Sequence, residues 1–279
     1  MNIPGIPFAN CKPRPWRCGD RVLGGDRPLI MGILNVTPDS FHDGGRHASV
    51  DEAVRHAEAM LEAGADIIDV GGESSRPGAE AVPEEEELAR TRPVVEALVR
   101  RFNCAVSIDT VKSKVARAAL QEGACIINDI SAMAFDPMML EVPQAFRAGV
   151  VLNHIRGTPK DMQKAPVYGD PVAEVAAFLK ARVQLLAAMG VSADHIAVDP
   201  GIGFGKRVED NTPWSIASRP WTPSAARSCW ASRANPSSAR PRAWSIRTGC
   251  SPAWPWPCSP RSRGSRSCAC TTCARPAKR

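Results

Sequence analysis

From residue 211 to residue 279 this 279-residue chain contains no Asp, Glu, Leu, Val, Phe or Met. Without acids that stretch offers no carboxylate chemistry. Without Leu, Val, Phe and Met its composition predicts no core face for a strand and helix, only an aberrant basic tail of low order. Elsewhere no apolar run approaches the roughly 20 residues of a membrane span. The opening MNIPGIPFANCKPRPW lacks the charged-then-apolar layout of a secretory signal, so a cytoplasmic protein with no membrane partner is expected. Of the ten cysteines, six fall in the tail, and Cys11, Cys18, Cys104 and Cys125 show no metal-ligand spacing. Cys104 and Cys125 stand in apolar runs and read as core residues.

The chain has two compositions. Residues 1–210 carry 23 Lys and Arg against 29 Asp and Glu, a net of −6, while the remainder carries +12 and six of the seven Trp. The overall +6 is therefore no sign of nucleic-acid binding by the body.

In the body, apolar runs alternate with helix-period segments. Strands are predicted at 28–36, 65–71, 104–109, 125–130, 149–154 and 195–199, and helices at 50–63, 84–102, 112–121 and 171–189. Asp51 is expected to cap the first helix, with Gly64, Gly123 and Gly190 as stops. Six strand–helix steps suit a doubly wound sheet or a (βα)₈ barrel. Asn35, Asp69, Asp109, Asn128, His154 and Asp199 fall at or near strand C-termini, which favours the barrel, where those ends converge on one face.

The loop N-V-T-P-D-S-F-H-D-G-G from Asn35 reads equally as a surface turn or as a mobile presenter of oxygens to Mg²⁺ or a polyanion. In G-G-E-S-S-R-P-G from Gly71, two glycines permit close backbone approach, two hydroxyls can donate to phosphate, and Arg76 offers a planar fork for anions. Asp109, Asn128 and Asp199 each end a β-run and would share a water-poor cavity in a closed barrel. Buried carboxylates need partners, and a carboxylate with an amide suits the amino-pyrimidinone edge of a pterin; helix capping or ion pairing is the plainer fate of any one of them. The glycine-rich D-P-G-I-G-F-G-K from Asp199 has neither Walker nor dinucleotide spacing and supports only a tight turn near a ligand. His154 reads as a core histidine more readily than as a base, and Glu84–Glu87 as a solvated helix start.

GILNVTPDSF, GADIIDVGGESSRPGA, SIDT, INDIS, HIRGTP and DPGIGFGK, in this order from about residue 30 to 206, resemble the bacterial dihydropteroate synthases. The resemblance implies a TIM barrel and Mg²⁺-assisted condensation of 6-hydroxymethyl-7,8-dihydropterin pyrophosphate with p-aminobenzoate, without a covalent enzyme intermediate. It assigns Asn35 to metal and pyrophosphate, and Asp109, Asn128 and Asp199 to the pterin. Ser75 and Arg76 lie near pyrophosphate and p-aminobenzoate, with Phe41 and Pro77 beside the latter; Asp109 and Arg76 are the catalytic candidates. Ser75 replaces the usual Thr and keeps its hydroxyl, and His42 replaces the usual Ser. A pterin-dependent methyltransferase of related fold is the competing enzyme reading, against which the first two loops argue.

The family continues with strands ending S-R-K-S-F and R-V-H-D, and neither is present. Displaced by one base, codons for residues 232–239 can spell S-R-K-S-F-I-G, and those for 267–276 can spell L-R-V-H-D-V-R-E-T. A one-nucleotide displacement near residue 212 thus accounts for the tail. The expectation is a pterin-binding barrel of six βα units over 1–211, with the last two units replaced over 212–279 and sheet edges left unpaired. The Lys and Arg-His groups that the family uses, and its dimer-forming late helices, fall in the replaced stretch. An inactive or misfolded frameshifted relative is the alternative; a nucleic-acid-binding arm is a third reading, which the same displacement makes unnecessary.

Overall fold

The structure, a computed structural model, describes residues 15–37 and 46–211, with the backbone of two further strands at 227–230 and 243–247. A short antiparallel hairpin comes first: β1 (Trp16–Cys18) and β2 (Arg21–Leu23), turning through Gly19 at φ +60°. Then follow β3 (Leu29–Asn35), α1 (Arg46–Glu62), β4 (Ile67–Gly71), α2 (Glu84–Arg101), β5 (Ala105–Asp109), α3 (Ser113–Gln121) and β6 (Ile126–Asp129). A 3₁₀ turn (Pro137–Glu141), α4 (Val142–Phe146), β7 (Gly149–Asn153), α5 (Pro171–Ala188) and β8 (Ile196–Asp199) complete the body. The acidic first turn of α2 and its terminal Arg100 and Arg101 both suit the helix dipole. Asp170 caps α5 by accepting the N–H groups of Val172 and Ala173.

Strands β3 to β8 pair in parallel in chain order, as the alternation of βα units predicts. Two elements differ from expectation. Helix α1 begins at Arg46, a turn earlier than the sequence pattern suggests, so the exposed Asp51 lies inside it rather than capping it. The connection from β6 to β7 holds only the 3₁₀ turn and the five-residue α4, too short to show a helical period.

Among the described residues the barrel is closed, which corrects the expectation of unpaired edges. Strand β9 (Arg227–Trp230) pairs in parallel with β8, and β10 (Ala243–Arg247) runs antiparallel to both β9 and β3. The ladder joins backbone N–H and C=O groups, which every non-proline residue carries, so extended segments of unsuitable composition still satisfy the edges of β3 and β8. The reversed β10 marks where the repeated βα order ends.

Side chains two apart on a strand share a face, and the core splits accordingly. Ile68, Val70, Val106, Ile108, Ile127, Leu152 and Val198 face outward into the main core with Leu98, Val115 and Leu179 of the helices. Met31, Ile67, Ala105, Ile126, Val151 and Ala197 face inward and form the apolar floor of the lumen with Trp16 and Cys18 of the hairpin. The Trp16 indole N–H donates to the carbonyl of His195 (2.9 Å), fixing the hairpin beneath β8. Gly149 permits this seat, since a Cβ there would collide with Cys18 Sγ.

Candidate active site

Two residues beyond the floor, the inward face becomes polar: Asp69 follows Ile67, Ser107 follows Ala105, Asn128 follows Ile126, Asn153 follows Val151, and Asp199 follows Ala197. All five are buried. Asp69 Oδ1, Ser107 Oγ, Asn153 Oδ1 and Asp199 Oδ2 have no hydrogen-bond partner among the described residues. Four such atoms converging in one lumen is unusual, because buried polar groups are nearly always paired, and it marks a site for a donor-rich ligand.

The electrostatics agree. Burial pushes Asp69 and Asp199 up to about 6, opposed at Asp69 by Ser107 and the Asn128 amide, and at Asp199 by the Gly201 N–H and the Lys206 ammonium. Ser107 opposes Asp69 across the ladder and favours its ionised form, short of a well-formed hydrogen bond. Asp109 is raised well above the carboxylate range by burial and then by the charges of Asp69, Glu87, Asp129 and Glu73. Perturbed carboxylates crowded at one barrel end indicate function.

Asn35, Gly71, Asp109 and Asn128 are successive cross-strand partners on β3 to β6. From the position a Gly71 Cβ would take, Asp109 Oδ2 is 3.5 Å and Asn35 Oδ1 3.7 Å away, so both oxygens border the space that glycine leaves open between β3 and β5. Glu73, Ser74, Ser75, Asp109, Lys112 and Ile130 line the adjoining cleft. Lys112 Nζ donates to Glu73 Oε2 (2.6 Å) and pairs with the buried Glu87, while Glu73 accepts the Val82 N–H (2.8 Å). The loop that carries Ser75 and Arg76 is thereby tied to the end of β5.

The glycine-rich segment after β8 is held from below. Lys206 Nζ is buried and donates to the carbonyls of Gly201 (2.9 Å) and Phe204 (3.1 Å), with His154 Nδ1 at 2.9 Å. Burial lowers Lys206 to about 7, against the raising charge of Asp199. Gly201, at φ +69°, donates its N–H to Asp199 Oδ1 (2.7 Å), and a Cβ on it would collide with the His154 carbonyl oxygen and Asn153 Oδ1. His154 faces the helix layer, edge-on to Phe178 with ring centroids 5.1 Å apart; burial and then Lys206 depress it to about 3, so it stays neutral and structural.

Of the residues singled out by sequence, Asn35, Asp109, Asn128 and Asp199 gather at the mouth of the barrel, and Ser75 lines the cleft beside Asp109. Arg76 and Pro77 are exposed at the rim, and Phe41 lies outside the described residues. The sequence pattern passes over Ser107, Asn153 and Lys206 and leaves Asp69 without a role. A period-two count from the floor residues finds the first two; Lys206 carries no such signal.

A family model described as pterin binding enzyme matches residues 31–214. Curated relatives include the dihydropteroate synthases of Synechocystis sp., 48% identical over 71% of this chain and 69% of that protein, and of Escherichia coli K12, 49% identical over 66% and 65%. The match thus spans about two thirds of their length. Among solved structures, the Xanthomonas albilineans dihydropteroate synthase with 4-aminobenzoic acid aligns at TM-score 0.72 and 43% identity over 78% of each chain. The Burkholderia cenocepacia enzyme complexed with 7,8-dihydropteroate aligns at 0.66 and 45% over 83% of this chain and 75% of that one. With a barrel lumen built from buried carboxylates and amides, and with these relatives, the chain belongs to the pterin-binding enzymes, in the dihydropteroate synthase family of transferases.

Proposed function

We propose that this lumen holds the pterin of 6-hydroxymethyl-7,8-dihydropterin pyrophosphate and that the body is built to transfer it to p-aminobenzoate in folate biosynthesis. The observation that carries this is the set of buried polar atoms on Asp69, Asn153 and Asp199, without hydrogen-bond partners among the described residues, around Asp109 and Asn128. A pterin edge bears N–H donors and a carbonyl, the complement of carboxylates and an amide. As pyrophosphate departs, positive charge grows on the pterin methylene and ring. The carboxylates that crowd Asp109 raise its pKa and equally favour that cation, with no rearrangement at the moment of reaction. Asp109 accepts a ring N–H, Asn128 and Asp199 orient the heterocycle, and the apolar floor keeps water from its buried edge. Ser75, Arg76, Pro77 and Phe41 receive p-aminobenzoate and the phosphates at the rim.

Mg²⁺ fits the donor types at the top of β3, where the Asn35 amide oxygen and an Asp109 carboxylate oxygen, both hard ligands, border the space over Gly71. No group of three or more His, Cys, Asp or Glu suited to a metal occurs among the described residues, so an ion there would be held by Asn35, water and substrate phosphates. Bound there, Mg²⁺ would neutralise charge on the leaving pyrophosphate.

We propose further that a one-nucleotide displacement near residue 212 separates the chain from the last two βα units. The full chain is expected to bind 6-hydroxymethylpterin in a fluorescence titration. Pyrophosphate release dependent on p-aminobenzoate is expected only from protein with the frame restored. No release from the restored protein would overturn the synthase reading and favour the methyltransferase. An intact frame across codons 205–235 on resequencing would assign the tail to the gene itself rather than to a misread base.

A further inference from the structure

Asn128 can hold a pterin in only one sense if its amide has one orientation, and the residue that sets this orientation lies below it. Asn128 Nδ2 donates to Asp69 Oδ2 at 2.9 Å, within the lumen and away from solvent. Asp69 stands on β4, two strands from β6, and is 2% exposed, so the contact spans the intervening β5 on the buried inner face of the sheet. The other Asp69 oxygen has no partner among the described residues. A buried carboxylate with one oxygen short of a well-formed hydrogen bond destabilises the fold. Its retention therefore calls for a use.

Resting on the pterin-site reading above, we infer that Asp69 is the positioning residue of the site, holding the Asn128 amide so that its carbonyl oxygen faces the ligand. An ionised carboxylate only accepts, so it selects the NH₂ end of the amide and rejects the oxygen end. In that orientation Asn128 offers an acceptor to a ring N–H. The inverted amide would offer a donor instead and lose that hydrogen bond. The Oδ1 atom of Asp69, aimed into the same lumen, adds a second acceptor beneath the ligand.

The test sets binding against stability in the full-length chain. Asp69→Leu has nearly the same size, lacks the acceptor and removes an uncompensated buried charge. Its melting temperature is expected to equal or exceed that of the parent, while its affinity for 6-hydroxymethylpterin falls about tenfold or more, the loss of a charge-assisted hydrogen bond. Asp69→Asn keeps an acceptor but lets the two amides exchange roles; it is expected to recover part of the affinity. A purely structural role predicts binding and melting temperature falling together, or binding unchanged, and either result overturns the inference. If Asp69→Leu does not fold, Asp69→Asn binding as tightly as the parent does so. Failure of the parent chain to bind pterin would instead be a failure of the pterin-site reading. The inference then stands or falls on the ligand-free protein. With ¹⁵N-asparagine label, one Asn128 side-chain proton should be shifted downfield by the carboxylate; loss of that shift in Asp69→Asn supports the inference, and its absence from the parent overturns it.

Discussion

At the floor of the barrel Ile67, Ala105, Ile126, Val151 and Ala197 close on Trp16; two residues further along the same strands, Asp69, Ser107, Asn128, Asn153 and Asp199 face the same lumen. Equal burial has opposite consequences at the two levels. Below, each apolar group removed from water stabilises the fold. Above, each carboxylate removed from water is destabilised, and burial pushes the pKa of Asp69 and Asp199 up to about 6. The barrel thus stabilises itself at one end and concentrates unfavourable electrostatics at the other, where a ligand can relieve them.

The largest effect that can break this division is loss of the floor. Trp16→Ala is expected to lower stability by about 3–5 kcal/mol in denaturant titrations, with pterin affinity of the folded fraction within about twofold of the parent. Binding lost in a fully folded variant would show that floor and mouth are not separable. Next, Asp109→Asn is expected to weaken pterin binding by about tenfold to a hundredfold, as for a hydrogen bond to a charged group, with the melting temperature unchanged or raised. Gly149→Ala drives a methyl into Cys18 and should destabilise by about 1–3 kcal/mol, measured by calorimetry, as overpacking does.

The smallest effect is a pH dependence. The folded pKa of Asp69 lies above its unfolded value, so its contribution to stability is full below about pH 4 and is lost as pH rises through about 6. Asp69→Asn should therefore melt higher than the parent at pH 7.5, and about 1 kcal/mol of that advantage should vanish by pH 5.5. An advantage that grows on acidification would contradict the assignment of burial as the cause.

Much of the body was legible in the sequence. The runs ending at Asn35, Asp109, Asn128 and Asp199 announced both the strands and the polar mouth, since a short apolar run that closes on a polar residue at one βα step after another sets those polar groups at the same end of the barrel. The hairpin strands Trp16–Cys18 and Arg21–Leu23 and α4 at Val142–Phe146 were not legible, because elements of three and five residues show no period. Ser107 and Asn153 sat inside apolar runs, where only the inward face reveals them. Composition also did not reveal that residues 227–230 and 243–247 pair as strands. It reports which side chains can fill a core, whereas strand pairing asks only for backbone donors and acceptors.

By itself the sequence determined the order of the βα units, the resemblance to the dihydropteroate synthases and the set of polar residues at the strand ends. Those are properties of single positions and of local period. Only the tertiary structure decided that Asp69 meets Asn128, that Asn35 and Asp109 both border the space over Gly71, that Lys206 lies beneath the turn after Asp199, and that β10 closes the barrel in reverse. Each depends on the distance between segments far apart in the chain, and it is the curvature and closure of the sheet that set those distances.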